Sequence, residues 1–131
     1  MNISNYKLGD ICDIKVTKRI KYQSDISQSY KYYISKDNYV FCDILQIEKK
    51  CILLQKINEP YLILTSKCSC SPNYFVLTIK EDIVDNDELL LGQIYNCLLE
   101  NIDKIKEKYN GNIQSILPKK DIEDFEIIIN F

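Results

Sequence analysis

Histidine, tryptophan and alanine are absent from this 131-residue chain, and arginine occurs once, at Arg19. Without an imidazole there is no side chain that ordinarily titrates near neutrality to act as general base. A zinc site would also lack its commonest nitrogen ligand. Glycine is limited to Gly9, Gly92 and Gly111, and no GxGxxG, GxxxxGK, HExxH or GxSxG motif occurs. Phosphate-cradling loops and the familiar nucleophile and zincin motifs are thereby excluded. No apolar run approaches the ~18 residues of a membrane helix. The opening MNISNYKLGD has neither the basic start nor the apolar stretch of a secretory leader, so the expected address is cytoplasmic.

What fills the chain instead is isoleucine, lysine, asparagine and tyrosine. That usage follows AT-rich codons and predicts an AT-rich bacterial or viral source genome. With 46% hydrophobic and 27% charged residues the chain is globular. Its length suffices to bury roughly two-thirds of the unfolded chain's surface. No linker, repeat or low-complexity tract interrupts it, so one domain spanning 1–131 is expected. The six cysteines, at positions 12, 42, 51, 68, 70 and 97, mostly fall inside apolar segments. They read as reduced, packing thiols.

Charge is unevenly placed. The net is −2, which argues against a general nucleic-acid binder. Yet residues 1–80 hold twelve basic against seven acidic side chains, and residues 81–131 hold five against twelve. Such an asymmetry is one expectation for a protein that turns a single face to a polyanion.

The periodicity predicts an α+β fold: a twisted mixed or antiparallel sheet with C-terminal helices packed on it. Leu8–Ile11 reads as a helical turn, and the alternation through Ile14 and Val16 as a strand. Residues 17–37 are polar and tyrosine-rich, a long loop or one or two short strands. Strands follow over Tyr39–Ile47, Cys51–Gln55, Tyr61–Thr65 and Tyr74–Ile79, with Lys67–Asn73 as a loop. Acids at Asp85, Asp87 and Glu88 suit a helix start. Leu90, Ile94, Leu98, Ile102 and Ile105 continue at helical spacing, and Gly111 is expected to stop the helix. The remainder reads as a buried Ile113/Ile116 segment, a charged helical turn and a closing apolar strand.

Three constellations carry chemistry. Cys68-Ser69-Cys70 lacks CxxC spacing and reads as buried or loop cysteine more readily than as a metal site. Glu81, Asp82, Asp85, Asp87 and Glu88 lack the glycine-centred loop of a calcium site and read as helix capping. No nucleophile–base pair is evident; no catalytic residue, metal ligand or cofactor is expected, and the protein is not expected to be an enzyme. The segment from Lys15 to Lys36 has more to offer. Lys15, Lys18, Arg19, Lys21, Lys31 and Lys36 can neutralise phosphates, and Tyr22, Tyr30 and Tyr32 supply hydroxyls and ring faces. A solvated strand edge, where lysine blocks unwanted pairing, accounts for the same residues.

The two ends of the chain carry a resemblance. LGDICDIK (Leu8–Lys15), the close built from Gly111, Gln114, Lys119, Lys120, Asp121, Ile122 and Ile127–Ile129, and the middle piece CSPNYFVLTI (Cys70–Ile79) together resemble the target recognition domain of type I restriction–modification specificity subunits. The resemblance implies a non-catalytic, sequence-selective reader of double-stranded DNA, with methyl transfer from S-adenosylmethionine left to a separate subunit. It makes Asn112 and Gln114 candidate DNA contacts beside Lys15, Lys18, Arg19, Lys21, Tyr22, Tyr30, Lys31 and Tyr32. It also makes a DNA methyltransferase subunit a candidate partner and a homodimer a candidate assembly. The chain departs from the family's pattern in two places. Val16-Thr17-Lys18 lacks the glycine often found after the opening strand, and the sequence reaches Phe131 directly after the closing strand, without the long spacer helices of full subunits. A lone DNA-binding domain, a domain held to a partner by another surface, and a remnant with a new role all remain expectations. The alternative function is a protein-interaction module on a repurposed recognition-domain fold, its acidic half facing a methyltransferase or another partner.

Overall fold

The computed structural model describes residues 3–22, 29–36, 38–83 and 87–130. Strand β1 (Ile3–Lys7) passes into the single-turn helix α1 (Leu8–Ile11) and on to β2 (Cys12–Lys15). Strands β3 (Tyr30–Ser35), β4 (Asn38–Cys42), β5 (Cys51–Gln55), β6 (Leu62–Thr65), β7 (Cys68–Cys70) and β8 (Tyr74–Ile79) follow. Helices α2 (Asp87–Glu100), α3 (Ile102–Lys106) and α4 (Lys119–Glu123) then lead to β9 (Glu126–Asn130). The strands make three sheets: antiparallel β1–β9, antiparallel β2–β8–β5–β6, and a mixed sheet β4–β3–β7 in which β3 and β7 run parallel. This is the expected α+β arrangement.

The four-stranded sheet is the middle layer, and its sequence shows why. All five residues of β5 are buried, with no polar alternation between them. Ile52 and Leu54, with Phe75 and Leu77 of β8, join Leu90, Leu91, Ile94 and Leu98 of α2 in the larger core. Cys51 and Leu53 point the other way and meet Tyr33, Cys68, Cys70, Tyr74 and Val76 against the three-stranded sheet. A strand covered on both faces reads as a continuous apolar run, which is what CILL is. Each such Leu or Ile contributes about 1.5–3 kcal/mol by leaving water. The ends of the chain segment close together: α1 lies on α4, and a Cβ on Gly9 would stand 3.1 Å from the Glu123 carbonyl oxygen. Among the described residues no helix is long and apolar enough to cross a membrane.

Several expectations are corrected. Cys68–Cys70 is not loop but strand β7; three residues are too few to show a period, and the parallel partner β3 lies far away in sequence. The strand expected over Tyr39–Ile47 ends at Cys42, and Ile47 makes only an isolated antiparallel bridge to Cys68. Val16 lies beyond β2 and is exposed. The helix is divided at Asn101, whose side-chain amide donates to the Cys97 carbonyl at 2.8 Å. It ends at Lys106, five residues before Gly111. The expected burial of Ile113 and Ile116 fails outright, with exposures of 102% and 43%. The expected capping acid Asp85 lies outside the described residues.

The six cysteines are free thiols, and all but Cys97 are buried. Burial pushes Cys12 and Cys70 up to about 12, while a hydrogen bond to Cys68, with burial, also raises Cys51. These three thiols therefore stay protonated at neutral pH. Among the described residues no three His, Cys, Asp or Glu side chains gather to hold a metal.

Candidate nucleic-acid interface

Between β2 and β3 the backbone leaves the sheet and runs as an irregular strap, residues 16–22. Polar side chains fasten it to β7. The Thr17 hydroxyl donates to the Cys70 carbonyl at 2.8 Å, and the Gln46 amide donates to the Lys18 carbonyl at 3.0 Å. The same Gln46 accepts the Cys70 N–H at 3.1 Å. With its backbone held inward, the strap presents Lys18, Arg19 and Lys21 to solvent. Among the described residues the ion pairs are Lys7–Asp124, Lys36–Glu59 and Lys120–Asp124, so none of these three cations has a carboxylate partner. Lys36 is the exception within the basic segment, held 2.7 Å from Glu59, which raises the lysine's pKa and lowers the glutamate's.

Strand β3 sorts the tyrosines. Alternation along a strand sends Tyr30 and Tyr32 to one face and Lys31 and Tyr33 to the other. Tyr32 stacks on Tyr22 of the strap, ring centroids 4.3 Å apart at 27°. Burial raises the Tyr32 hydroxyl above its ordinary value, Tyr22 adds to the shift, and Arg19 opposes it. Lys31 instead lies with its ammonium 4.4 Å from the Tyr39 ring centre, in an aromatic group with Tyr33 and Phe41. The structure thus gathers Arg19, Tyr22 and Tyr32 and parts Lys31 from them. Lys15, exposed at the end of β2, sits one step away in a shallow hollow with Thr17, Gln46 and Lys49.

Asn112 and Gln114 occupy the loop 110–116. It is closed by reciprocal backbone bonds between Asn110 and Ile116, 3.0 and 2.9 Å. Gly111 takes φ +148°, and a Cβ there would stand 2.1 Å from the Gln114 carbonyl oxygen. The glycine is therefore a structural requirement of the turn, whereas the exposed Gln114 side chain is free for a ligand. Gly111→Ala should cost about 1–3 kcal/mol through backbone strain. Urea unfolding should show it as a lower midpoint, and an unchanged midpoint would mean the loop adopts another conformation.

Two backbone hydrogen bonds connect this loop to the strap's side of the molecule. The Asn73 carbonyl accepts from Lys56 N–H, and the Lys56 carbonyl accepts from Leu117 N–H, both at 2.8 Å. Behind them sits buried Gln55. Its amide oxygen accepts Lys36 N–H at 2.7 Å and its amide nitrogen donates to the Ile57 carbonyl at 2.9 Å and the Glu59 carbonyl at 3.3 Å. The Tyr109 hydroxyl donates to the Gln55 backbone carbonyl, and Tyr74 donates to that of Lys36. Gln46, Gln55 and Asn73 were not legible as site-building residues. Ser71-Pro72-Asn73 signals a turn, but nothing local tells what the turn meets.

The acidic half forms the opposite kind of surface. A groove of about 680 Å³ runs between α3 and the α4–β9 segment, edged by Lys104, Glu107 and Lys108 on one side and Asp121, Asp124 and Glu126 on the other.

No protein-family model and no curated protein matches the chain. Solved structures do. The S subunit of the type I restriction–modification system from M. genitalium superposes with a TM-score of 0.79 at 16% identity, over 98% of this chain and 34% of that one. The HsdS subunit from Thermoanaerobacter tengcongensis superposes with a TM-score of 0.55 at 12% identity, over 97% and 33%. The chain spans about a third of the length of these structures. At these identities what is shared is the fold, and at that level the resemblance read from the bookends holds.

Proposed function

We propose, from a chain that has the fold of part of a type I restriction–modification S subunit, that this protein is a non-catalytic, sequence-selective double-stranded DNA-binding module of the target-recognition type, acting as one domain over residues 1–131. One observation carries the reading: on that fold, the strap holds Lys18, Arg19 and Lys21 out to solvent, unpaired with any described carboxylate. Lys15 and these three hold phosphates, with the Tyr22, Tyr30 and Tyr32 hydroxyls beside them. Asn112 and Gln114 offer amides of the kind that pair with adenine edges. With Arg19 alone, few bidentate arginine–guanine contacts can form, so a monomer binds with modest affinity.

The reading is tested by fluorescence anisotropy of the protein with genomic and random duplexes across a salt series. Four phosphate contacts predict a slope of log affinity on log salt of about −3.6, a roughly 100-fold loss between 50 and 200 mM. A flat response overturns phosphate contact.

A second reading rests on the groove beside α3. Its mixed lining, two lysines among four carboxylates, suits a protein surface better than a polyanion, and favours a module that docks a methyltransferase subunit or a second copy of itself. Sedimentation of the protein alone and with such a subunit separates these. A protein that binds the subunit and no duplex belongs to this second class.

A further inference from the structure

The strap and the Ser71–Asn73 turn enclose a cleft of about 340 Å³, lined by Arg19, Ile20, Tyr22, Tyr32, Ile34 and the turn itself. Its volume lies at the lower end of small-ligand sites, roughly 300–1,000 Å³. The composition is particular. Ile20, Ile34 and Pro72 are apolar, the Tyr22–Tyr32 pair is an aromatic wall, and Arg19 brings a guanidinium to the rim. Ser71 is already committed, its hydroxyl donating to the Ile34 carbonyl at 2.8 Å. The Asn73 backbone is committed as well, its N–H to the Ser71 oxygen at 3.3 Å and its carbonyl to Lys56. Beside the Arg19 guanidinium and the Tyr22 and Tyr32 hydroxyls, the Asn73 side-chain amide, on a fixed backbone, has no partner among the described residues and is available to a ligand at the cleft.

Base pairs within a duplex present their edges in the grooves, and only bases freed from the stack present ring faces. A recess with an aromatic wall, a guanidinium and a free amide matches a ring face with a hydrogen-bonding rim and an adjoining phosphate. We infer that this cleft seats a single unstacked nucleobase, with Tyr22 as the stacking surface, Asn73 on the base edge and Arg19 on the neighbouring phosphate. The inference rests on reading the strap as a nucleic-acid surface, and adds that one nucleotide there is held outside the helix. The stack on Tyr32 preorganises Tyr22, so little side-chain freedom is lost when a base arrives.

The experiment compares three probes of one sequence: a fully paired duplex, the same duplex with one unpaired 2-aminopurine, and the single strand. Stacking of one base predicts about tenfold tighter binding of the unpaired probe than of the paired one, with quenched 2-aminopurine emission. Tyr22→Ser should abolish both the preference and the quenching. Tyr22→Phe should keep both, which shows that the serine variant's loss lies in the ring. Asn73→Ala should reduce the preference, and thermal unfolding verifies that each variant is folded. Equal affinity for paired and unpaired probes, or a preference that survives Tyr22→Ser, overturns the inference while duplex binding stands. Binding of the unpaired and single-stranded probes without the paired one upholds it and sinks the duplex reading. Failure to bind any probe overturns both.

Discussion

Changing Lys18, Arg19 and Lys21 together to glutamate should weaken duplex binding by about 100-fold or more and flatten the salt slope by about 2.7, the share of three phosphate contacts. The three side chains are exposed, while the strap itself is held by Thr17 and Gln46, which the substitutions leave in place. The fold should therefore survive, with far-ultraviolet circular dichroism and the unfolding midpoint unchanged. Charge reversal adds repulsion to the lost attraction, so the fall should exceed that of the corresponding triple alanine variant. Anisotropy titrations at two salt concentrations decide the matter. Binding that persists with the original slope would move the phosphate contacts off the strap altogether, leaving lysines elsewhere on the surface to account for them.

The second large effect falls on Gln55. Gln55→Leu keeps the side chain's bulk but removes the acceptor of Lys36 N–H and the donor to the Ile57 and Glu59 carbonyls. At about 1 kcal/mol for each hydrogen bond, with more for any partner left buried and unpaired, the loss is about 3–4 kcal/mol. Domains of this kind are stable by about 5–15 kcal/mol, so the midpoint of urea unfolding should drop markedly. Gln55→Glu keeps the acceptor for Lys36 but sets a buried, acceptor-only carboxylate against the Ile57 and Glu59 carbonyls, so it should recover stability only as pH falls and the carboxyl is protonated. A leucine variant as stable as the parent would mean that water replaces the amide at every one of its partners. The same substitution should loosen the attachment of the Lys36 turn and of Tyr109. Hydrogen exchange would then quicken at Lys36, Asn58 and Leu117.

Legibility in the sequence follows the range of the interactions involved. Strands β5 and β8 were readable to the residue, because apolar runs bounded by turn residues need only local information. Helix α1 and the closing α4–β9 segment were readable as well, since short phrases set them. Strand β7 was not, because it exists only through its parallel pairing with β3 across the intervening chain. Ile113 misled for a related reason: the pattern placed it with the core, yet the loop is closed by backbone bonds between Asn110 and Ile116 and needs no buried side chain. The basic strap was legible as composition, but its organisation was not. That Tyr32 turns toward Tyr22 and Lys31 away from it depends on where β3 begins, and a shift of one residue would exchange the two sets. Asn73 stood inside a recognisable phrase, and only the folded chain shows that it lines a cleft with Arg19 and Tyr22.

The antiparallel ribbon formed by β1 and β9 has an engineering consequence. Ile3 is the register partner of Asn130, so the polypeptide enters and leaves the fold at neighbouring points. A host protein could therefore accept these strands as a cassette spliced into one surface turn, with no crossing of the scaffold by either connection. Joining the two strands by a short peptide and opening the chain at the exposed 111–115 turn would yield a circular permutant. The new termini would then lie beside Asn112 and Gln114.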